Sequence, residues 1–457
     1  MCLFGLAFQQ FADCPVLIVA NREEAYARPT APPQIFPRKG GTSAWMGGRD
    51  LLAGGTWLGV NEFGLTVAVT NRPVTRELPA PRSRGLLCRQ LLECENAAQA
   101  LDLALSELRT ASYLGCNLIL AEARAAFCVE AGDEIRAQPL TAGLHLITNS
   151  ALDAPDDRRC RRVRDEFQHV SPTSAEHWMA EAQRICRLPA EGNSAAVCLV
   201  GADRGTVSAA VVALGRHPRQ SRFLYAPGSP QTTAFDDYSP MLWDLLAVSG
   251  QPDQPSEPVD LAGRSRGMPA GDKRATKAML AKSANRSGRS GADVLTNAEQ
   301  TSAPAAAEPH RILLRGPWQV DPVSRCEDRP DGMRVWSLTD LPPQQMVRLP
   351  AAWDELFGEF RGRVRFQRTF HPPTNVGPRD QLSLVISSAA CQGAIFLNDV
   401  YVGAIDPQFP FVRVDVTGRL KINNELTIDL QFLEPPDSAD PAGLTTPAAL
   451  AIIEGAP

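Results

Sequence analysis

Nothing in the sequence marks a metal centre. The 11 cysteines form no CxxC pair, and the six histidines show no HxxxH or mixed Cys/His group at zinc spacing, so no structural metal and no cofactor is expected. An odd number of widely scattered cysteines also argues against a disulfide framework and for reduced, mostly buried thiols. No run approaches the ~20 apolar residues of a membrane helix. The opening MCLFGLAFQQF has no Lys or Arg in front of it and is interrupted by Asp13, Cys14 and Pro15, so neither a secretory leader nor a span is expected, and the location is read as cytoplasmic. A basic excess is missing too. With 46 Lys+Arg against 51 Asp+Glu the net charge is −5, which disfavours a nucleic-acid partner or an anionic membrane.

Aromatic residues are absent from one long stretch. Residues 251–309 contain no Phe, Trp or Tyr and are dominated by Ala, Ser, Gly and Pro, too little apolar surface to offset ordering entropy. They are read as a disordered linker. Its middle, 261–290, carries eight basic residues against Asp272 alone, which fits a solvated, self-repelling spacer. The 457 residues then divide into a domain at 2–250, the linker at 251–309, a β-sandwich at 310–436 and a poorly ordered, Pro- and Ala-rich tail at 437–457.

Before the linker, CLFGLAF, PVLIVAN, DLLAGG, TWLGVNEFG and LTVAVTN read as closely spaced strands. A helical pattern follows from Arg84 to Leu108. Strands return at CNLILAE, AAFCVEA and GLHLITN, helices at about 156–170 and 174–187, and strands again at AAVCLVG, TVSAAVVAL and RFLYAP. Two packed sheets with helices outside them are expected. After the linker, RVRFQRTF, QLSLVIS, GAIFLND, VYVGAI, FVRVDV and ELTIDLQF alternate with period two, and Asn398-Asp399 suits a two-residue hairpin turn.

What is present, and exceptional, is Cys2. Removal of Met1 leaves a thiol nucleophile and a free α-amine of ordinary pKa about 7.7 to 8.0 on one residue, the two parts of an acyl-transfer pair. Asn21, Arg22, Glu23 and Glu24 follow an apolar strand that can pair with the strand beginning at Cys2, placing polar groups at the same end. A carboxylate there orients the α-ammonium. Arg22 lowers the thiol pKa, holds an anionic substrate group or makes a structural ion pair. Trp57, in GGTWLG, is read as core or pocket wall.

MCLF at the start, NREE at 21–24, GGTWLGVNEFGLTVAVTN at 54–71, RSRG at 82–85, CNLILAE at 116–122 and LHLITNSALDAP at 144–155 together resemble the NRDE family, also called the transport and Golgi organisation family. The resemblance implies an α+β, four-layer αββα sandwich of the N-terminal nucleophile hydrolase type. It implies a more distant likeness to the choloylglycine hydrolase and penicillin acylase group, in which Cys2, Glu23, Asn71, Asn149 and Arg222 match catalytic positions; from the strand-end placement and the pocket-wall reading above, Asn21, Arg22 and Trp57 are taken as substrate-binding. Asn71 and Asn149 then serve either an oxyanion or the turns that follow their strands, and Arg222 sits near Cys2 and favours thiolate. The motif has Asp where this chain has Glu23, one methylene longer. The implied reaction is hydrolysis of a carbon–nitrogen bond other than a peptide bond, in a small-molecule amide or related acyl compound.

GPWQVDP at 316–322, RLPAAWDELFGEFRGRVRFQRTFHPP at 348–373 and the segment 393–430 resemble the jelly-roll sugar-binding domain of β-galactosidase-type glycoside hydrolases. The catalytic barrel of those enzymes has no counterpart, and Trp318, Trp336 and Trp353 are read as core or rim. Two other functions remain open at this stage: a binding protein holding a hydrophobic ligand or haem, and an adaptor recognising carbohydrate through the C-terminal domain.

Overall fold

The computed structural model describes residues 2–38, 42–75, 81–247, 310–374, 376–377, 379–388, 390–409, 411–433, 443–444 and 446–453. The expected linker at 251–309 lies outside the described residues. The chain opens with β1 (Leu3–Phe8), β2 (Val16–Ala25), β3 (Thr30–Phe36), β4 (Trp45–Asp50), β5 (Leu58–Asn61) and β6 (Thr66–Asn71), followed by α1 (Arg84–Leu91) and α2 (Ala97–Thr110). Next come β7 (Cys116–Ala121), β8 (Ala126–Ala131), β9 (Ile135–Pro139) and β10 (Gly143–Ile147), then α3 (Arg158–Val170) and α4 (Ala175–Cys186). β11 (Arg204–Leu214), β12 (Arg222–Ala226), β13 (Asp236–Asp237) and α5 (Ser239–Ala247) complete this part.

Strands β3 to β9 pair in sequence order as one sheet, and β10-β1-β2-β11-β12-β13 make a second. The period-two pleat sorts their side chains. Ile18 and Ala20 of β2 meet Met46, Leu58 and Ala68 of the facing sheet. Leu17 and Val19, pointing the other way, pack on Val163 and Phe167 of α3 and on Trp178 and Ile185 of α4. On the outer face of the first sheet, Val67, Leu118 and Leu120 cover Leu87 and Leu91 of α1 and Ala100 and Ala104 of α2.

Three expectations change here. The run Arg84–Leu108 is two helices, because Asn96 takes an extended conformation and its side chain accepts from the Gln99 N–H, capping α2. DLLAGG is a turn. Asp50 Oδ1 accepts from the N–H groups of Leu52 and Ala53, and Gly54 has φ +73°. AAVCLVG makes only the bridge Val200↔Gly205, since the N–H groups of Val197 and Cys198 both donate to the Leu188 carbonyl instead of a neighbouring strand.

The C-terminal part contains β14 (His310–Leu313), β15 (Pro317–Asp328), β16 (Arg334–Ser337), β17 (Gln345–Arg348), β18 (Ala351–Ala352), α6 (Trp353–Phe357) and β19 (Gly362–Phe370). It continues with β20 (Gln381–Ser387), β21 (Gln392–Leu397), β22 (Val400–Ile405), β23 (Phe411–Asp415), β24 (Asn424–Phe432), β25 (Gly443–Leu444) and β26 (Ala449–Ile453). The layer β16-β15-β19-β24-β21-β22 faces the four-stranded β14-β26-β20-β23. Phe366, Ile395 and Ile428 meet Leu384, Ile386 and Leu450 between them, with Trp318 and Trp353 in the same core. Asn398 and Asp399 turn the β21–β22 hairpin with φ of 54° and 66°. The tail expected at 437–457 contains β26, an interior strand between β14 and β20. Its Ala449–Leu450–Ala451–Ile452 alternation buries both faces, which the small residues make possible.

The two parts share a sheet. Asp237 of β13 pairs in parallel with Val335 of β16, so one 13-stranded sheet runs from β10 through to β22. Tyr238 stacks on Trp336 at 5.7 Å, Asp236 accepts from Arg334 at 3.1 Å and from the Trp336 indole at 3.3 Å, and Arg329 pairs with Asp237 at 3.0 Å.

Candidate functional site

Cys2 stands at the start of β1, where register fixes its neighbours. Leu3 pairs with Asn21, so one step further along that ladder Cys2 lies beside Arg22, whereas on the other side the ladder ends at Phe4 and Ile147, two residues before Asn149. Cys2, Asn21, Arg22, Trp57, Thr70 and Ser208 are among the residues around a void of about 20 Å3 between the two sheets. That is room for about one water. The Arg22 guanidinium lies over the Trp57 ring at 4.2 Å, and Trp57 in turn lies against Gly48, where a Cβ would come within 2.6 Å of the ring. Arg22 is 6% exposed, and its Nη1 has no hydrogen-bond partner among the described residues.

Glu23 points away from this void. The pleat turns it toward α3, where Arg159 Nη2 meets its Oε1 at 2.8 Å, Arg159 Nη1 donates to Oε2 at 3.4 Å and the Thr206 hydroxyl donates at 3.3 Å. Burial pushes the Glu23 carboxyl up, with Arg159 opposing. The Cys2 thiol is also pushed up, by burial first and then by the Glu23 charge, and the Glu23 backbone N–H and Arg22 only partly offset this. The thiol is therefore held as S–H at neutral pH, and an attack from it needs a base.

Asn21 serves the structure. Its amide donates to the carbonyls of Cys186 at 3.0 Å and Val197 at 3.1 Å, tying β2 to the end of α4. Asn71 ends β6 opposite Cys116 and does not line the void; its neighbour Thr70 does. Asn149 sits in a loop fastened from both sides. Thr70 donates to the Thr148 carbonyl at 2.7 Å, Asn117 to the carbonyls of Thr148 and Ser150 at 3.2 and 3.1 Å, and Arg72 to that of Ser150 at 3.1 Å. Asp157, the N-cap of α3, accepts from the hydroxyls of Thr148 and Ser150. The Asn149 Oδ1 is buried with no partner among the described residues.

Arg222 does not join the site. In β12 it pairs with Ala213, which pairs with Leu17, whereas Cys2 lies beside Arg22. Five residues of strand, roughly 17 Å, separate those positions. Its guanidinium donates to the carbonyls of Arg219 and Ser221, stacks near Trp243 at 5.4 Å and acts on Cys14 rather than Cys2. The SRF motif resembles the expected one in sequence, but strand direction sends the residue to the far end of the sheet. Sequence reasoning missed Arg159, Thr70, Asn117 and Asp157. Only Asp157 carried a signal, as an N-cap residue before a helical run.

Residues 1–190 match the family described as Transport and Golgi organisation 2, the same family the motifs resemble. A Mus musculus protein described as Transport and Golgi organization 2 homolog is 31% identical over 162 residues, 32% of this chain and 54% of that protein. The chain thus spans about half the length of that relative. Among solved structures, an FMN-binding β-glucuronidase from Facaelibacterium prausnitzii L2-6 shares 22% identity over 32% of this chain and 23% of its own, with a TM-score of 0.25. A β-glucuronidase from an uncultured Clostridium sp. shares 16% over 34% and 30%, TM-score 0.26. A rhamnosidase from Novosphingobium sp. PP1Y shares 19% over 34% and 16%, TM-score 0.24. At these scores nothing about fold or activity follows from them. No helix among the described residues is long and apolar enough to cross a membrane, which leaves β-barrels unaddressed.

Proposed function

We propose that residues 2–250 form a cysteine N-terminal nucleophile hydrolase of the four-layer αββα type, acting on a small amide or related acyl compound once Met1 has been removed. The observation that supports the reading most is that Cys2, at the start of β1, shares one buried void with Arg22 and Trp57. The order of the cores, helix pair on sheet on sheet on helix pair, supports it. Cys2 Sγ attacks the acyl carbon while its proton passes to the α-amine. That amine, now ammonium, protonates the departing amine as the C–N bond breaks. Water then cleaves the thioester, releasing the acid and restoring the thiol. The Asn149 amide N–H and the unfilled Arg22 Nη1 are the donors available to the oxyanion, a contribution of about 3 to 4 kcal/mol for one such donor.

The void is too small for an acyl group, so turnover requires Arg22 and Trp57 to part. The test is intact-mass analysis of processed protein incubated with an acyl p-nitroanilide. The expected result is an acyl adduct on Cys2 and p-nitroaniline release that disappears in Cys2→Ala. Equal release from Cys2→Ala, or a mature chain that retains Met1, overturns the reading.

A further inference from the structure

The outer face of the C-terminal sheet is not open to solvent throughout. Alternation in β19 and β24 sends Val364, Phe366, Ile428 and Leu430 into the sandwich core, so that Arg363, Arg365, Asp429 and Gln431 point outward. The N-terminal part covers that face: Leu51 packs with Ala394 and Phe396, and Ala31 joins them. Between the cover and the sheet lies a cleft of about 480 Å3. This falls within the range of small-molecule sites, roughly 300 to 1,000 Å3.

The charges in the cleft do not balance. Arg365 pairs with Asp429 at 2.7 and 2.9 Å, and Arg334 with Asp236 at 3.1 Å. Arg363 has no carboxylate partner among the described residues. Its guanidinium stacks on Trp336 at 4.4 Å and donates to Gln431 at 2.9 Å, the Pro33 carbonyl at 2.8 Å and the Tyr238 hydroxyl at 3.2 Å, all neutral acceptors. The donors of a guanidinium outnumber these three, and its plane is already fixed. Next to the cleft, Arg49 lies over Phe396 at 5.1 Å and forms no ion pair among the described residues. Gln34 and Gln392 line the cleft with amides that make no hydrogen bond among the described residues.

We propose that this cleft binds a small hydroxylated carboxylate, its carboxylate on Arg363 and its hydroxyls on Gln34 and Gln392. The site is independent of Cys2. A rigid guanidinium with no carboxylate hydrogen-bonded to it selects a planar anion, while neutral amides match hydroxyl groups, which both donate and accept. The single excess charge of the Arg363 group suits a monoanion.

Titration calorimetry on the full chain tests this with gluconate, its uncharged relative sorbitol, and inorganic phosphate. Saturable gluconate binding at millimolar concentration, without sorbitol binding, is the expected result. Gln392→Glu places a negative charge in the cleft at an exposed position and should weaken gluconate at least about tenfold, a difference of about 1.4 kcal/mol. Arg363→Gln should abolish binding; because Arg363 also bridges the two parts, its melting temperature is measured alongside, and Gln392→Glu decides the case if it unfolds. Cys2→Ala should bind gluconate normally. No gluconate binding, equal sorbitol binding, preference for phosphate, or affinity unchanged by Gln392→Glu each overturns the proposal.

Discussion

At Cys2 the local electrostatics run against a free thiolate, and this has a measurable sign. Burial and the Glu23 charge raise the thiol pKa, so alkylation by iodoacetamide should be slow at neutral pH and rise as pH passes above the ordinary thiol value of 9.0. Glu23→Gln removes the raising charge and leaves Arg159 unbalanced beside the site, which should shift the alkylation profile to lower pH. The same substitution breaks a buried pair and should cost about 3 to 5 kcal/mol in urea denaturation. Trp57→Ala removes the ring under Arg22 and should speed Cys2 alkylation at fixed pH by opening the void. Cys88, Cys116 and Cys186 are buried and desolvation pushes their thiols up as well, so peptide mapping of the alkylated protein identifies which cysteine each profile reports.

Among the elements, the start of α3 couples most directly to the site. Asp157 caps the helix through the N–H groups of Arg159 and Cys160 and holds the Thr148–Ser150 loop, so Asp157→Ala should destabilise by about 1 to 2 kcal/mol. Burial raises its carboxyl, but the hydrogen bonds from Thr148, Cys160 and Ser150 outweigh it and hold the pKa below the ordinary value of 3.8. The stability it adds is therefore fully present above that value and is lost as pH falls through the lowered one. In parallel denaturation series, the gap between wild type and Asp157→Asn should close only in acid. Much at this scale was legible in sequence: β1, β2, β6, β11 and the β19 to β24 strands follow their apolar alternation. DLLAGG and AAVCLVG misled because apolar composition without pairing partners says nothing of backbone hydrogen bonds. That Cys2 and Arg22 lie side by side was legible because the apolar runs on either side of the first turn announce two strands that pair. Arg222 was not excluded in sequence because strand direction appears only when the sheet is assembled, and Arg159 was hidden because its partner comes from a distant strand.

For the whole molecule, reading two folded parts on either side of residues 251–309 missed the shared sheet. No periodicity predicts that two residues of β13 will pair with β16, since so short a strand carries no pattern. Arg334→Met removes the ion-pair partner of the buried Asp236 carboxylate, leaving the Trp336 indole as its hydrogen-bond donor among the described side chains and Arg363 nearby, and should cost about 3 kcal/mol. If the parts unfold as one unit, as the common core of Tyr238 and Trp336 implies, both far-UV and tryptophan signals should report a single transition lowered together.

The parallel step from Asp237 to Val335 joins the parts without needing the peptide chain between them. A break anywhere from 248 to 309 would cut the covalent thread and leave the ladder, the Tyr238–Trp336 stack and the Asp236–Arg334 pair in place. Residues 1–247 and 310–457 made as separate polypeptides should therefore find each other and elute together on size exclusion, so the molecule is a natural candidate for fragment complementation, with assembly readable as the quenching or shift of Trp336 fluorescence.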